Sequence, residues 1–312
     1  MTHNTHTKYK NLMSPTNDYI FCRLFGSNDK KHRLISLLNA ILNGKPHIQD
    51  VTIDPNEYKK TQYDGKSIRL DINATTDDGT RINVEMQCVH TKDIFSRSEF
   101  NQAVLMRDET IKEGEAYDKI PKRIVIWFVE QNATNRKGCM HETKLMFEAN
   151  GVDPVEVASD NYRLFIIELA KINTEQKQIV GEMFDAWMAF IKDPNNISSV
   201  YSDSEEIQDA LDELEYLTHD DETMSYYNYR LREIAAINAS NTEHYRDGME
   251  KGLQQGLQQG MAEGAKQKAI ETAINLLKAG IDINIVCNST GLDAKEIEMI
   301  MNDIEATTDQ EK

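Results

Sequence analysis

The stretch LDINATTDDGTRINVEMQ, residues 70–87, consists of two runs of alternating apolar and polar residues on either side of a turn. Alternation with a period of two predicts strands whose side chains point to opposite faces of a sheet. One face of the resulting hairpin is apolar. The other face carries two carboxylates and three amides, which are Asp71, Asn73, Asn83, Glu85 and Gln87.

The turn of this hairpin allows two registers. A two-residue loop of Asp78 and Gly79 would place Asp71 opposite Met86 and would mix polar with apolar side chains in each pair. A three-residue loop over residues 77–79 pairs like with like and sets Asp71 opposite Glu85. Because the apolar pattern determines register, we expect the three-residue loop. The other matched pairs are then Asn73 with Asn83, Arg69 with Gln87, Leu70 with Met86, Ile72 with Val84 and Ala74 with Ile82.

Two opposed carboxylates indicate a cation site. The Cβ atoms of opposed residues lie about 4.5–5.5 Å apart, and like charges at this distance repel unless a positive charge lies between them. Mg²⁺ is typically held by one or two carboxylates together with waters and substrate phosphates, and such a site can activate water for attack on phosphorus. The alternative is a solvated polar face, which is common in antiparallel hairpins.

The remaining pattern up to about residue 170 predicts a mixed sheet with flanking helices, an α/β (α+β) core. KRIVIWFVE, residues 122–130, is a continuous apolar run typical of a strand that is covered on both faces. The predicted helices are NDYIFCRLFG, KKHRLISLLNAILNG and residues 94–114, and the predicted strands outside the hairpin are IQDVTID, residues 143–148 and residues 163–169.

The second half of the chain is predicted to be helical. We expect a core over residues 11–170, an acidic helical region over 171–246, a glycine-repeat helix or linker over 247–268 and a small helical tail over 269–304. Amphipathic patterns predict a helix over 175–191 and further helices over 203–246.

Charge and cysteine content exclude few classes of protein. The formal net charge of −17 argues against a dedicated nucleic-acid binder, although residues 1–70 carry a balance of +5. The four cysteines are scattered without zinc-site or disulfide-framework spacing, so we expect reduced thiols. No apolar run is long enough to cross a bilayer and the N-terminus lacks a signal-peptide pattern, so a cytoplasmic protein without membrane contact is expected.

The order of several blocks resembles the PD-(D/E)XK nuclease superfamily, and within it the transposase-associated recombination-promoting nucleases, the Rpn family. The blocks are SPTNDYIFCRLFG, LDINATTDDGTRINVEMQ, GEAYDKIPKRIVIWFVE and FIIELAK, and the glycine repeat is also similar. The resemblance covers about residues 11–170. It implies a restriction-endonuclease-like core and divalent-metal-dependent cleavage of DNA, with a role in recombination, mobile elements or phage defence.

The resemblance also implies roles for individual residues. Asp71 and Glu85 match the metal ligands, for Mg²⁺ with Mn²⁺ as an alternative, and Asp18 matches an assisting acid on the first helix. Asp18 has an alternative role as an acid in the first turn of that helix. Gln87 occupies the third motif position, where the superfamily usually has lysine and this branch commonly has glutamine. Arg97 matches an arginine of the branch.

Two departures from the pattern concern this motif. Leu70 replaces the proline that usually precedes the first acid. Gln87 can orient water or donate a neutral hydrogen bond, but it cannot neutralise charge as lysine would. Cations that could act in its place, or bind substrate phosphate, are Lys66, Arg69, Lys92 and Arg97.

Five glycines at intervals of four, from Gly248 to Gly264, precede the tail. Glycine at this spacing lets helix backbones approach closely, so we expect a homo-oligomer formed through this segment and the C-terminal helices. A linker is the alternative, because each glycine costs about 1 kcal/mol of helix stability relative to alanine. The tail is expected to be a small helical cap that buries Ile283, Val286, Leu292, Ile297 and Ile300.

Two functions of different classes follow. The first is a Mg²⁺-dependent DNA endonuclease that uses Asp71, Glu85, Gln87 and Asp18, with Lys66, Arg69 and Arg97 on the substrate. The second is a nuclease-fold scaffold with weak or no catalysis that acts through protein–protein contacts and self-association. The neutral Gln87 and the acidic net charge favour the scaffold.

Overall fold

A mixed sheet organises the N-terminal part of the chain. The computed structural model describes residues 9–54, 71–89, 93–107, 120–149, 151, 153–173, 180–197, 201 and 204–310. These residues form six strands in the order β1-β2-β3-β4-β6-β5. β1, β2 and β3 are antiparallel, β3, β4 and β6 are parallel, and β5 is antiparallel to β6. The strands are β1 Val51–Ile53, β2 Ile72–Thr76, β3 Arg81–Gln87, β4 Arg123–Val129, β5 Met140–Phe147 and β6 Glu156–Glu168.

Helices flank this sheet and make up the C-terminal part. The α/β core followed by a helical region is therefore confirmed, with the fold expected of a restriction-endonuclease-like protein. None of the described helices is both long and apolar enough to cross a membrane. The helices are α1 Asp18–Phe25, α2 Lys31–Leu42, α3 Ile94–Arg107, α4 Glu182–Lys192, α5 Glu205–His219, α6 Asp221–Lys278, α7 Ile283–Thr290 and α8 Ala294–Gln310.

The chain divides into two compact units, Met1–Ala239 and Ser240–Lys312. In the second unit, the end of α6 packs with α7 and α8 around Ala273 and the apolar residues of the tail. Val286, Leu292, Ile297 and Ile300 are buried there as expected, but Ile283 is 39% exposed. Residues 248–264 are helical within α6. The division into four segments stays a prediction.

β4 lies inside the sheet and every one of its residues is buried, as the continuous apolar run predicts. Ile124, Ile126 and Phe128 pack on one face in the main core, which also contains α1, α2, α4 and α5. Val125 and Trp127 pack on the other face with Ile94 of α3. Burying both faces explains why this strand shows no alternation.

β6 begins seven residues before its predicted start at 163. The first half of this strand pairs with the end of β5 as an exposed ribbon, with a register shift beside Leu145. This half of β6 contributes little to the core, and its sequence therefore lacks the apolar pattern by which a strand is predicted. The predicted helix over 175–191 is observed as α4 from Glu182, and the described part of the predicted helix over 94–114 is α3.

The hairpin of β2 and β3 has the expected three-residue loop. Ile72 pairs with Val84, Asn73 with Asn83 and Ala74 with Ile82. At the turn, the Thr76 amide donates to the Thr80 carbonyl at 3.0 Å. Gly79 has a φ of +83°, which an L side chain rarely adopts. The expected pairs of Leu70 and Arg69 lie outside the described residues.

The turn geometry predicts a cost for any side chain at Gly79. We expect Gly79→Ala to lower the free energy of unfolding by about 1–2 kcal/mol because of its positive φ, while an added Cβ meets no atom within 4 Å. Urea denaturation measures this change. Gly138→Ala is the control, since this glycine has no positive φ. Equal stabilities of the two variants would contradict the turn assignment.

A buried arginine connects α2 with α5. Arg33 is 1% exposed; its Nε donates to Asp209 Oδ2, and its Nη2 donates to the Asp209 carbonyl at 3.2 Å. The hydrogen bonds from Arg33 and His32 lower the pKa of Asp209 to about 2, against the effect of burial. The carboxylate form of Asp209 therefore stabilises the folded protein.

We expect Asp209→Asn to lower the free energy of unfolding by about 1–3 kcal/mol at neutral pH, because the buried Arg33 loses the closer of its two carboxylate partners and keeps only Glu213, whose Oε2 lies 3.5 Å from Nη2. Because the pKa of Asp209 is lower in the folded protein, its carboxylate stabilises the fold at pH values above its pKa in the unfolded chain, about 3.9. This contribution is lost as the pH falls toward 2. Denaturation between pH 7 and pH 2 should show the difference from wild type shrinking below about pH 4.

Asp160→Asn is the control for this prediction, because the Asp160–Lys122 pair is exposed and should contribute less than about 1 kcal/mol. A loss at Asp209 that is no larger than at Asp160, or that does not depend on pH, would contradict the assignment.

Candidate active site

A cavity of about 530 Å³ lies against the polar face of the hairpin. Its wall combines residues from β2, β3, α1, α3 and the first part of α6 with Asp54, which follows β1. Asp71 and Glu85 both line it, as the hairpin register predicts. The charged and amide residues of the wall are Asp18, Asp54, Asp71, Asn73, Arg81, Asn83, Glu85, Gln87, Arg97, Asn101 and Arg230.

Amide side chains orient the carboxylate of Asp71. Asp71 directly precedes β2, and the register of the hairpin, continued by one residue, sets it opposite Glu85. Asn73 Nδ2 donates to Asp71 Oδ2 at 3.0 Å, and Asn83 Nδ2 lies 3.4 Å from the same oxygen and 3.1 Å from Asn73 Oδ1. Because both hydrogen bonds that Asp71 accepts from these asparagines fall on Oδ2, Oδ1 is the oxygen that, among the described contacts, a cation could take.

Glu85 is held from α3. Asn101 Nδ2 donates to Glu85 Oε1 at 2.5 Å and lies 3.5 Å from Asn83 Oδ1. Asn101 is therefore the link between the helix and the polar face of the hairpin. Sequence reasoning missed it, although a signal exists: Asn101 lies four residues after Arg97 and so shares its helix face.

Gln87 contacts Arg97 and its own strand end. Arg97 Nη1 donates to Gln87 Oε1 at 3.1 Å, and Gln87 Nε2 donates to the Val89 carbonyl at 2.6 Å. The Arg97 guanidinium also lies 5.1 Å from the ring centroid of Trp127, a cation–π distance. In this arrangement the amide of Gln87 positions the Arg97 guanidinium at the cavity wall.

Asp18 lies in the first turn of α1, but Asn17 is the N-cap: Asn17 Oδ1 accepts from the amides of Tyr19 and Ile20. The Asp18 carboxylate pairs with Arg230 of α6, through Nε to Oδ1 at 2.9 Å and Nη2 to Oδ2 at 2.5 Å. Asp18 thus borders the cavity as the acidic member of a bidentate ion pair.

Several functional candidates were missed or lie outside the described residues. Lys66, Arg69 and Lys92 belong to the second group. Asp54 follows β1, and its amide donates to the Asn73 carbonyl at 2.8 Å; its position at the end of a short strand was the available signal. Arg230 had no signal, since 212 residues separate it from Asp18.

The donor set fits a hard cation better than a closed zinc site. No group of three or more His, Cys, Asp or Glu residues within the described ranges could hold a metal ion. Two carboxylates beside a cavity match Mg²⁺, which keeps waters and takes phosphate oxygens as its other ligands. Asp71 and Glu85 are the residues that would hold it.

Comparison with known proteins places the chain in a family. A family model described as PD-(D/E)XK nuclease family transposase matches residues 15–243. No curated protein and no solved structure matches the chain. The match covers α1 to α5, the whole sheet and the beginning of α6. The chain belongs to the PD-(D/E)XK nuclease family transposases, and its fold and family support a nuclease-like or transposase-like function.

Proposed function

We propose that this protein is a cytoplasmic, divalent-metal-dependent DNA endonuclease that hydrolyses phosphodiester bonds in recombination, mobile elements or phage defence. The observation that supports this most is the opposition of Asp71 and Glu85 at a cavity that also holds arginines. Membership in a nuclease family whose superfamily generally uses divalent metals adds to this support.

Asp71 and Glu85 would hold Mg²⁺ or Mn²⁺. Such an ion, when bound, polarises a phosphoryl oxygen and lowers the pKa of a bound water. The amides of Asn73, Asn83 and Asn101 hold the two carboxylates in place, which limits reorganisation during the reaction. These contacts preorganise the site without adding charge to it.

Arginines balance the charge of the site. The guanidinium of Arg97 is planar, always charged and suited to phosphate oxygens, and Gln87 and Trp127 hold it at the wall. We propose that Arg97 contacts a DNA phosphate, together with Lys66 and Arg69. Gln87 acts here through Arg97, and its role in orienting water stays a prediction.

Substitution of the two carboxylates tests the proposed site. We expect Asp71→Asn and Glu85→Gln each to lower Mg²⁺-dependent plasmid nicking by about 100-fold or more. Substituting a residue that only supports a metal ligand typically lowers activity by about 10–100-fold, and substituting the ligand itself should lower it at least as much. Folding should be retained, and stability without metal should stay equal or rise because repulsion between like charges is relieved.

Glu142→Gln is the matched control, since this carboxylate lies on β5 and pairs with Arg163 outside the cavity. It should nick DNA like wild type. Wild-type rates in either site variant would contradict the site assignment, and no nicking by the wild-type protein would contradict the endonuclease proposal.

The scaffold function is the second candidate, and an exposed surface of α6 favours it. Met249, Leu253, Leu257 and Met261 lie at intervals of four and are 61–74% exposed. They run beside the glycines that begin at Gly248, where an added Cβ would meet no atom within 4 Å. Adjacent apolar and glycine rows suit close pairing of helices. We propose that two copies associate through this surface.

Sedimentation of the full chain tests this association. We expect wild type to be a dimer or larger species at micromolar concentration and the Leu253→Glu, Leu257→Glu variant to be smaller, because charges would be buried at the contact. Gln255→Glu, Gln259→Glu is the control on the other side of the helix and should keep the wild-type mass. A monomeric wild type, or an unchanged mass in the leucine variant, would contradict self-association.

A further inference from the structure

Arg230 brings a guanidinium into the candidate active site from the helical region. It lines the same cavity as Asp71, Glu85 and Gln87, and 23% of its side chain is exposed. Its partners are the Asp18 carboxylate at two points and Glu233 Oε2, which lies 2.9 Å from Nη1. The hydrogen bonds that Arg230 donates to the Asp18 carboxylate raise the pKa of Arg230, so the guanidinium stays charged across the working pH range.

A simpler role for the Asp18–Arg230 pair would be to anchor α6 against α1, but other contacts also anchor this helix. The rings of Tyr19 and Tyr226 lie 4.4 Å apart between centroids and join α1 to α6. The Ser14 amide donates to the Tyr227 hydroxyl at 3.2 Å, and Asn238 Nδ2 donates to the Cys88 carbonyl at 3.4 Å. Several contacts therefore hold the helix here beside the Asp18–Arg230 pair.

The chemistry of phosphodiester cleavage needs positive charge where Gln87 supplies none. Negative charge develops on the phosphoryl oxygens as water attacks. The side-chain amide of Gln87 already accepts from Arg97 through its oxygen and donates to the Val89 carbonyl through its nitrogen. A guanidinium that forms a two-point pair with a carboxylate can form the same two-point pair with a phosphate, since both present paired oxygens.

We propose that Arg230 is a phosphate-binding residue of this site, which exchanges the Asp18 carboxylate for a DNA phosphate when substrate enters the cavity. Asp18 is then a positioning residue that holds the guanidinium at the cavity wall. This inference rests on the proposed action on DNA, and it extends the site to a residue 145 positions after Glu85.

Substitutions of Arg230 and of Asp18 are expected to change DNA binding differently. An ion pair that only anchored α6 would be weakened equally by either substitution. We expect Arg230→Ala to bind a short DNA duplex, in Ca²⁺ without cleavage, about tenfold more weakly than wild type. The slope of log affinity against log salt should become shallower by about 0.9, the change for one phosphate contact. Asp18→Asn should bind as tightly as wild type or more tightly, because it frees the guanidinium.

Arg230→Lys keeps the charge, so it should show the wild-type salt slope and an affinity between those of wild type and Arg230→Ala. This variant replaces Arg230→Ala in the test if the alanine variant does not fold. Arg163→Ala is the control, because Arg163 also pairs with a carboxylate and lines a separate cavity. Fluorescence anisotropy across a salt series measures binding, circular dichroism checks folding, and plasmid nicking in Mg²⁺ is followed in parallel.

Each outcome decides between the proposals. Weaker binding by both Arg230→Ala and Asp18→Asn, or by neither, would overturn the phosphate role of Arg230. A wild-type protein that nicks DNA while Arg230→Ala binds and nicks equally well would overturn this inference alone. Wild-type binding without nicking, with the expected loss at Arg230, would overturn only the endonuclease proposal. A wild type that neither binds nor nicks DNA would overturn both.

Discussion

The candidate active site depends on the conformation of one turn residue. Gly79 adopts a φ of +83° in a three-residue loop, and this loop determines which residues of β2 and β3 face each other. A register shifted by one residue would move Asp71 from Glu85 to Met86 and place apolar side chains on the cavity wall. The opposed carboxylates are thus a consequence of backbone geometry and of the apolar pairs beneath them.

Around this hairpin, neutral amides orient the carboxylates and arginines balance their charge. Asn83 and Asn101 link the two acids to each other and to α3. Such a site is rigid, because each carboxylate has directed donors, and under the proposed function a cation and a phosphate complete its charge balance. The acidic net charge of the chain is compatible with this, since electrostatic attraction acts through the local arrangement of charges.

Local pattern predicted the features that depend on neighbours in the chain. The hairpin register, the strand β4 and the N-terminal helices follow from alternation, continuous apolarity and 3.6-residue spacing. Arg230 could not be found in this way, because it enters the site through packing of α6 against α1, far away in the sequence. Asn101 shares a helix face with Arg97, but its contact with Glu85 depends on how α3 packs against the sheet. The first half of β6 was missed because a ribbon paired only with β5 buries little apolar surface.

The central claim is that Asp71 and Glu85 together hold a divalent cation. The most direct measurement is crystallographic: crystals soaked in MnCl₂, with data collected near the manganese absorption edge. We expect one anomalous peak within coordination distance, about 2.0–2.5 Å, of carboxylate oxygens from both residues, and no such peak in Asp71→Asn. A wild-type map with no peak there, or with manganese bound only elsewhere, would contradict it.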